Sequence, residues 1–503
     1  MHALIAILIA ISILELLIWV PSIWEMRKLL ASICIILLSL VSLAILQTQA
    51  VVITGLIFFF SLYRLVNLFR LLKNRIHFNH LYRSSRNTSI SLIAVQMSLV
   101  GVLVISNNYS LSRSIWLIGL SLTQLTVGLV FMASTTRHLK TTKPLALTKA
   151  YMDKELPTVT VAIPARNETD NLSQCLESLI QSNYPKLEIL VLDDCSQDRR
   201  TPEIIRNFAL SGVRFISGQV PPEKWLAKNY AYKQLVDESS GELLLFCGVD
   251  TRFEPRTIKQ LVELLLQKNK NMISLIPHNK LDKFSFWNLL VQPSRYAWEL
   301  SLPRRWFRRP PVLSTCWIIK RDLLLASGGF EAVASSISPE SYFARQSIAT
   351  NDGYSFMQAS GDVTVVCVKS IEDQQATVIR TRYPQLHRRP ELAAIVTIAE
   401  FTTIIAPLLV LILSLIKSSY FAATVSLIAV GLQYGAYGKL IRLTYRRNIL
   451  LGYLVLPVAA MYDLFLLNYS MFRYEFSEVI WKDRNICIPV MNTKDRSYKS
   501  RSL

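Results

Sequence analysis

Residues 187–194 read LEILVLDD, an apolar run that ends in two adjacent carboxylates. A second run, residues 243–250, reads LLLFCGVD and again ends in an aspartate. Between residues 155 and 390 such short apolar runs alternate with segments of helical periodicity, which is typical of a mainly parallel α/β sheet. Open α/β sheets bind ligands at the carboxyl ends of their strands. The sequence therefore predicts a site for a charged ligand and a metal at that edge.

Two blocks of apolar sequence flank this segment. The chain has 503 residues, of which 51% are hydrophobic, and its apolar runs are close to the roughly 20 residues that a membrane-spanning helix needs. Backbone polar groups must be paired in lipid, so we expect these runs to be helices. The predicted order is about five spans in residues 1–135, a basic linker (136–154), the α/β domain (155–390), about three spans (391–471) and a basic tail (472–503).

The net charge is +20, and much of the excess lies in loops beside the apolar runs. By the positive-inside rule these loops are cytoplasmic, which predicts a multi-pass protein of the cell inner membrane with a cytoplasmic central domain. Basic residues in this position favour anionic lipid headgroups as partners and argue against nucleic acid. Three C-terminal spans would place the basic tail outside, so the path of that block stays open; Glu400 lies within its first run.

No glycine-rich phosphate loop follows the first predicted strand, where residues 164–168 read PARNE. The absence of both a G-x-G-x-x-G pattern and a Walker lysine argues against a dinucleotide oxidoreductase and a P-loop ATPase. A nucleotide diphosphate could then be held by a divalent cation on carboxylates, and Mg²⁺ and Mn²⁺ both prefer oxygen ligands.

Five motifs occur in order along the chain: PARNE (164–168), LDDCSQD (192–198), WLAKN (225–229) with residues 241–251, GGFE (328–331) with ISPESY (337–342), and WKDR (481–484). The first four resemble motifs of family-2 glycosyltransferases of the GT-A fold. WKDR is similar to a motif in membrane-bound members that glycosylate lipids, including carotenoid glucosyltransferases. The resemblance covers residues 155–390 well and the C-terminal spans loosely.

The resemblance implies that Glu168 and Asp194, with Asp193 nearby, contact the nucleoside of a UDP-linked donor. Carboxylates suit this role because they accept hydrogen bonds from ring N–H groups and ribose hydroxyls. The alternative is that these acids cap helices in solvent.

Asp250 corresponds to the last acid of the family's D-x-D motif, so the resemblance implies that it binds Mg²⁺ or Mn²⁺ bridging the diphosphate. Gly248 replaces the motif's first acid, and the alternative is that Asp250 only caps the turn before Pro255. Lys228 falls in a segment that the family places near the diphosphate, where an ammonium would stabilise the leaving group; the alternative is an exposed helix lysine.

Glu340 takes the place of the family's catalytic aspartate, and Pro339 replaces the acid before it. A carboxylate there can remove the proton of an acceptor hydroxyl, which is typically worth about 10²–10⁴-fold in rate. A lipid phosphate acceptor would need no strong base. The alternative is a helix start at residues 338–341.

Arg380 and Arg382 are candidate diphosphate contacts, although juxtamembrane arginines also meet lipid headgroups. Processive synthases of the family carry a Q-x-x-R-W motif, and no tryptophan follows these arginines, which lowers the expectation of such a synthase. Residues 283–309 mix aromatic and basic side chains. This composition favours an interfacial segment that passes a lipid acceptor to the site, or else an amphipathic helix packed on the sheet.

Together these features predict an inverting glycosyltransferase that moves a sugar from a nucleotide-sugar to a membrane lipid such as a polyprenyl phosphate, a glycolipid or a carotenoid. Gly248 and Pro339 leave open a catalytically degenerate membrane scaffold. A transporter or flippase would need ionisable residues inside the membrane, and the apolar runs offer few besides Glu400 and Asp463.

Overall fold

The structure is a computed structural model. It describes residues 2–19, 26–46, 51–72, 79–108, 113–143, 151–279, 296, 299–300, 310–350, 353–359, 363–386, 388–444 and 449–487.

Five helices precede the α/β domain: α1 (His2–Ile18), α2 (Arg27–Leu46), α3 (Val51–Leu72), α4 (Asn79–Asn108) and α5 (Arg113–Thr141). The strands of the domain are β1 (Val159–Ala165), β2 (Leu187–Asp193), β3 (Val213–Ser217), β4 (Leu243–Cys247), β5 (Thr251–Phe253), β6 (Met272–Ile276), β7 (His278–Asn279), β8 (Cys316–Lys320), β9 (Tyr354–Gln358) and β10 (Val365–Cys367). Its helices are α6 (Asp170–Ile180), α7 (Arg200–Asn207), α8 (Ala227–Glu238), α9 (Thr257–Gln267), α10 (Arg321–Ala326), α11 (Pro339–Ala349) and α12 (Ile371–Gln385).

The main sheet has seven strands in the order β3-β2-β1-β4-β8-β6-β9. All pairs are parallel except those of β8, which runs antiparallel to both β4 and β6. The mainly parallel sheet expected from the alternating pattern is therefore present, with one reversed strand. Because β1, β2 and β4 run the same way, the acids that follow them come to one edge of the sheet.

Both faces of the sheet are covered, which explains why the strands read as continuous apolar runs. In β4, Leu243, Leu245 and Cys247 pack into one core with helices α6 and α9. The alternate residues Leu244 and Phe246 pack into the other core with α8. Successive side chains of a strand point to opposite faces, so both cores meet in β4.

A second, three-stranded sheet has the order β5-β10-β7 and lies beside the end of β4. Strand β10 runs antiparallel to β5, with Cys367 opposite Thr251. The backbone N–H of Val368 donates to the carbonyl of Asp250 at 2.8 Å. This hydrogen bond places the next residue, Lys369, beside Asp250.

The C-terminal helices are α13 (Pro390–Glu400), α14 (Ala406–Ile416), α15 (Tyr420–Thr444) and α16 (Ile449–Phe476), and they are followed by the short strands β11 (Ile480–Trp481) and β12 (Arg484–Asn485). A π-helical turn, Phe401–Ile405, joins α13 to α14 directly after Glu400. Among the described residues, six helices are long and apolar enough to cross a membrane by length and composition. They comprise α2, α3, α5, the continuous α13–α14, α15 and α16, while α1 is a shorter apolar helix.

The α/β domain and the C-terminal helices share one hydrophobic core. Tyr437 and Leu440 of α15 and Leu456 of α16 lie in the same cluster as Phe246 of β4. Helix α12 is fixed to α16 by an ion pair between Arg382 and Asp463, at 2.7 Å. The domain is thus attached to the apolar helices through buried contacts. The predicted interfacial segment, 283–309, lies outside the described residues apart from positions 296, 299 and 300.

Candidate functional site

A cavity of about 430 Å³ lies at the carboxyl end of β4. It is bounded by the sheet, by the start of α11, by helix α12 and by the β11–β12 hairpin. Its lining includes the charged and aromatic side chains Lys228, Asp250, Glu340, Lys369, Arg380 and Trp481. Three positions predicted from separate motifs, namely Lys228, Asp250 and Glu340, therefore meet at one cavity.

Asp250 follows β4, and its carboxylate is mostly buried. Its Oδ2 atom lies 3.0 Å from the Nζ atom of Lys369 and accepts from the Sγ atom of Cys367 at 3.6 Å. Burial alone would raise the pKa of Asp250, but the attraction of Lys369 outweighs it and holds the pKa below its ordinary value. The carboxylate is therefore ionised at neutral pH. A Cβ atom built on Gly248 would overlap Oδ1 of Asp250. The Asp250 carboxylate therefore occupies space beside Gly248 that the side chain of a first acid would otherwise use.

Glu340 lies in the first turn of α11, and only 6% of it is exposed. Pro339 occupies the first helical position, where its missing N–H costs nothing, and Ser338 is the N-cap residue. Phe343, one turn later, anchors the helix in the core. Glu340 is thus not itself the N-cap, and it lines the cavity.

Lys228 lies in the first turn of α8, and its Nζ atom is 5.3 Å from the centre of the Tyr232 ring. Burial lowers the pKa of Lys228 to about 8, although the nearby Glu340 opposes the shift. The alternative of an ordinary exposed helix lysine does not describe this side chain.

The resemblance implies that Lys228 lies near the diphosphate of a UDP-linked donor, so we expect the affinity for UDP to fall as the pH rises from about 7 to about 9. With a pKa of about 8, the ammonium loses its proton over this range, whereas an ordinary lysine keeps it to about pH 10.4. The loss should approach roughly tenfold, as one pKa unit of deprotonation allows. Calorimetric titration of the full chain in detergent would measure it. Lys228→Arg keeps its charge throughout and should remove this part of the pH dependence; an unchanged slope in that variant would contradict the assignment.

Arg380 and Arg382 both line the cavity, but they are held differently. The Arg382 guanidinium donates to both carboxylate oxygens of Asp463 at 2.7 Å, deep in the interior. The Arg380 guanidinium lies 4.6 Å from the centre of the Trp481 ring. Arg382 therefore contributes first to the attachment of α12, and Arg380 is the better placed of the two for a diphosphate.

The three predicted nucleoside acids lie beside the β11–β12 hairpin and are absent from the lining of the cavity. Glu168 accepts from the Nζ atom of Lys482 at 2.7 Å, and Asp194 accepts from Nη1 of Arg484 at 2.6 Å. Burial raises the pKa of both acids, while each basic partner opposes the rise. Asp193 accepts from the backbone N–H of Ser196 at 3.2 Å. Their predicted nucleoside role stays a prediction, and a nucleoside reaching them would have to displace the hairpin.

Further contacts hold the hairpin on the turn after β1. Arg166 donates from Nε to the carbonyl of Lys482 at 2.9 Å, and Asn167 donates to the Asp483 carboxylate at 3.2 Å. Lys482 and Asp483 form the turn with φ of 49° and 62°. Positive φ at both central residues is the backbone that a two-residue type I′ hairpin turn requires.

The sequence did not predict that Lys369, Trp481 and Arg484 belong to the site. Lys369 carries no motif, and only the pairing of β10 with β5 brings it to Asp250. Trp481 and Arg484 belong to the WKDR motif, for which the sequence suggested no position. Lys369, Trp481 and Arg484 all line the cavity.

A divalent cation at this site would depend on Asp250 together with phosphate oxygens of the donor. Among the described residues, no group of three or more His, Cys, Asp or Glu side chains could hold a metal ion. Asp250 is the carboxylate that the resemblance assigns to the metal, and its Oδ2 is engaged by an ammonium and a thiol, while its Oδ1 is turned towards Gly248. The predicted Mg²⁺ or Mn²⁺ ion stays a prediction that this donor set does not favour.

Comparison with known proteins identifies the domain. Residues 160–326 match the sequence model described as Glycosyl transferase family 2. The chain is 29% identical over 188 residues to the probable glycosyltransferase YdaM of Bacillus subtilis, covering 35% of this chain and 44% of that protein. It is 35% identical over 103 residues to the glycosyltransferase AglE of Haloferax volcanii, covering 20% and 32%. It is 29% identical over 131 residues to the 4,4'-diaponeurosporenoate glycosyltransferase of Staphylococcus aureus, covering 25% and 33%.

Solved structures also resemble it. The mannosyltransferase PcManGT from Pyrobaculum calidifontis, in complex with GDP-Man and Mn²⁺, is 18% identical with a TM-score of 0.42, covering 76% of this chain and 99% of that one. Glucosyl-3-phosphoglycerate synthase from Mycobacterium tuberculosis, in complex with Mn²⁺, UDP and glucosyl-3-phosphoglycerate, is 16% identical with a TM-score of 0.32, covering 47% and 85%.

The chain therefore contains a domain of glycosyl transferase family 2. The resemblance predicted from the motifs is confirmed, as is an α/β domain of the GT-A type combined with apolar helices of membrane-spanning length. The chain spans less than half the length of YdaM and a third or less of the other two curated relatives named above.

Proposed function

We propose that the protein transfers a sugar from a nucleotide-sugar to a membrane lipid, with inversion at the anomeric carbon. One observation carries the proposal: a buried carboxylate, Glu340, and several cations line one cavity between the sheet edge and helix α12. The cations suit a diphosphate, and the carboxylate suits an acceptor hydroxyl. The family-2 domain in residues 160–326 supports the same reaction class.

In the proposed reaction, the acceptor oxygen attacks the anomeric carbon from the face opposite the diphosphate. A new bond forms between that oxygen and the carbon while the bond from the carbon to the phosphate oxygen breaks. The electron pair of the broken bond leaves with the nucleoside diphosphate. Glu340 takes the proton of the acceptor hydroxyl, and cations of the cavity stabilise the negative charge that develops on the leaving group.

The acceptor is proposed to be a lipid because the cavity lies beside helix α12, which is attached to a helix of membrane-spanning length. Helix α12 forms one wall of the cavity and is bound to α16 through Arg382 and Asp463. The name of one relative, 4,4'-diaponeurosporenoate glycosyltransferase, supports an apolar acceptor. A polyprenyl phosphate, a glycolipid and a carotenoid all fit this description.

The donor is proposed to be UDP-linked, and GDP-linked sugars are the alternative to be compared, since the similar structures contain UDP or GDP-Man. A requirement for Mg²⁺ or Mn²⁺ would have to act through Asp250. The catalytic domain is proposed to face the cytoplasm at the inner membrane, with basic loops against anionic headgroups.

A transfer assay tests the proposal. The purified full chain would be incubated with radiolabelled UDP-sugars or GDP-mannose and with membrane lipids extracted from its host. We expect label in the lipid fraction for at least one donor, and loss of that label with Glu340→Gln but not with Glu238→Gln, an exposed carboxylate paired with Arg214. No labelled lipid with any donor, with or without divalent cations, would contradict the proposal and favour a degenerate scaffold.

A further inference from the structure

The side chain of Lys369 occupies the position beside Asp250 that a bound cation would take. Its Nζ atom lies 3.0 Å from Oδ2 of Asp250, with 21% of the lysine side chain and 15% of the aspartate side chain exposed. Lys369 follows β10, whose pairing with β5 fixes the backbone at this point. The ammonium is thus held between a rigid strand end and a buried carboxylate, at the wall of the cavity.

The same region is built for a single carboxylate. Gly248 stands where the family motif has its first acid, and a side chain there would require Oδ1 of Asp250 to move. Compared with a motif of two acids, Gly248 removes one negative charge from this region, and Lys369 adds one positive charge.

We propose that Lys369, held by Asp250, is the cation that binds the donor diphosphate, so that donor binding and sugar transfer need no divalent metal. This inference rests on the proposed function and deepens it. An ammonium has three N–H donors; one faces Asp250, and the others can face phosphate oxygens. As the bond between the anomeric carbon and oxygen breaks, these donors stabilise the electron pair that the phosphate oxygen receives.

Lys228, Lys369 and Arg380 line the cavity together with the carboxylates Asp250 and Glu340. Lys369 is the cation that lies against Asp250 at the end of β4, at 3.0 Å. The two other arginines of the lining are each paired with an aspartate elsewhere.

Calorimetric titration of the full chain with UDP and, separately, with GDP tests the proposal. In excess EDTA the wild type should bind at least one of them with a Kd within about twofold of that in Mn²⁺, since a protein-borne cation is not removed by a chelator. Lys369→Met should weaken binding in EDTA by roughly tenfold to a hundredfold, the value of charge-assisted hydrogen bonds. Lys369→Arg should retain most of the affinity. Wild-type binding that requires Mn²⁺, or Lys369→Met binding as tight as wild type, would overturn the proposal.

Two further variants separate binding from folding. Lys259→Met removes a lysine from an exposed ion pair with Asp153 and should leave the Kd unchanged. Lys369→Met combined with Asp250→Asn avoids a lone buried charge and should bind as weakly as Lys369→Met; wild-type affinity in this variant would overturn the proposal.

Sugar transfer seen only with Mn²⁺ would overturn this inference but not the proposed function. Nucleotide binding under no condition would overturn both.

Discussion

Replacing Glu340 by glutamine is expected to lower the rate of sugar transfer by about 10²–10⁴-fold, the usual contribution of a general base. The amide has nearly the same shape and cannot accept a proton. Glu340 lies at the start of α11, and it acts on the cations of the cavity through its effect on the pKa of Lys228. Donor affinity should therefore change much less than the rate. Initial rates of lipid labelling, with the Kd for UDP or GDP measured on the same sample, would show this separation.

Glu238→Gln is the matched control, since it makes the same chemical change at an exposed site outside the cavity. A loss of less than about tenfold in Glu340→Gln would contradict the base role, because general-base help is worth more than that. That result would favour an acceptor that is already ionised, such as a lipid phosphate.

Arg382→Met is expected to destabilise the protein by about 3–5 kcal/mol, the usual cost of leaving one partner of a buried ion pair alone. Only 6% of the arginine side chain and 2% of the Asp463 side chain are exposed, so the remaining carboxylate would lie far from water. Equilibrium unfolding of the full chain in detergent would measure the free energy of unfolding. Arg382→Met combined with Asp463→Leu should recover most of the loss, because no lone charge remains.

Arg200→Met provides the comparison for this prediction. It removes a similar contact, 2.6 Å from Asp198, but 71% of the Arg200 side chain is exposed, and such pairs contribute about 0–1 kcal/mol. Equal costs for Arg200→Met and Arg382→Met would show that the Arg382 pair is not an anchor. Unchanged UDP or GDP binding by the double variant would assign Arg382 to attachment of α12 and not to the diphosphate.

The parts of the site that sequence could predict are those that follow from strand order. Asp250 comes directly after β4, and the parallel direction of β1, β2 and β4 brings the residues that follow them to one edge of the sheet. Glu340 and Lys228 could be added because each lies in a motif, and their burial in one cavity agrees with that assignment. Local pattern and family resemblance suffice for such residues.

Lys369 could not be predicted, because its contact with Asp250 joins positions far apart in sequence through a small second sheet. The same holds for Glu168 and Asp194, whose basic partners come some three hundred residues later. A buried carboxylate in a flexible turn can pair with whichever cation the tertiary fold brings to it. The sequence shows that the acid is present, and only the packed structure shows its partner.

The β11–β12 hairpin has a consequence for any attempt to study residues 151–390 alone. That segment would lack Lys482 and Arg484, so Glu168 and Asp194 would lose their counterions. It would also lack the ring of Trp481 beside Arg380. One wall of the cavity is thus supplied by residues that follow the last long apolar helix, so the cavity of the α/β domain is complete only when the C-terminal helices have folded against it.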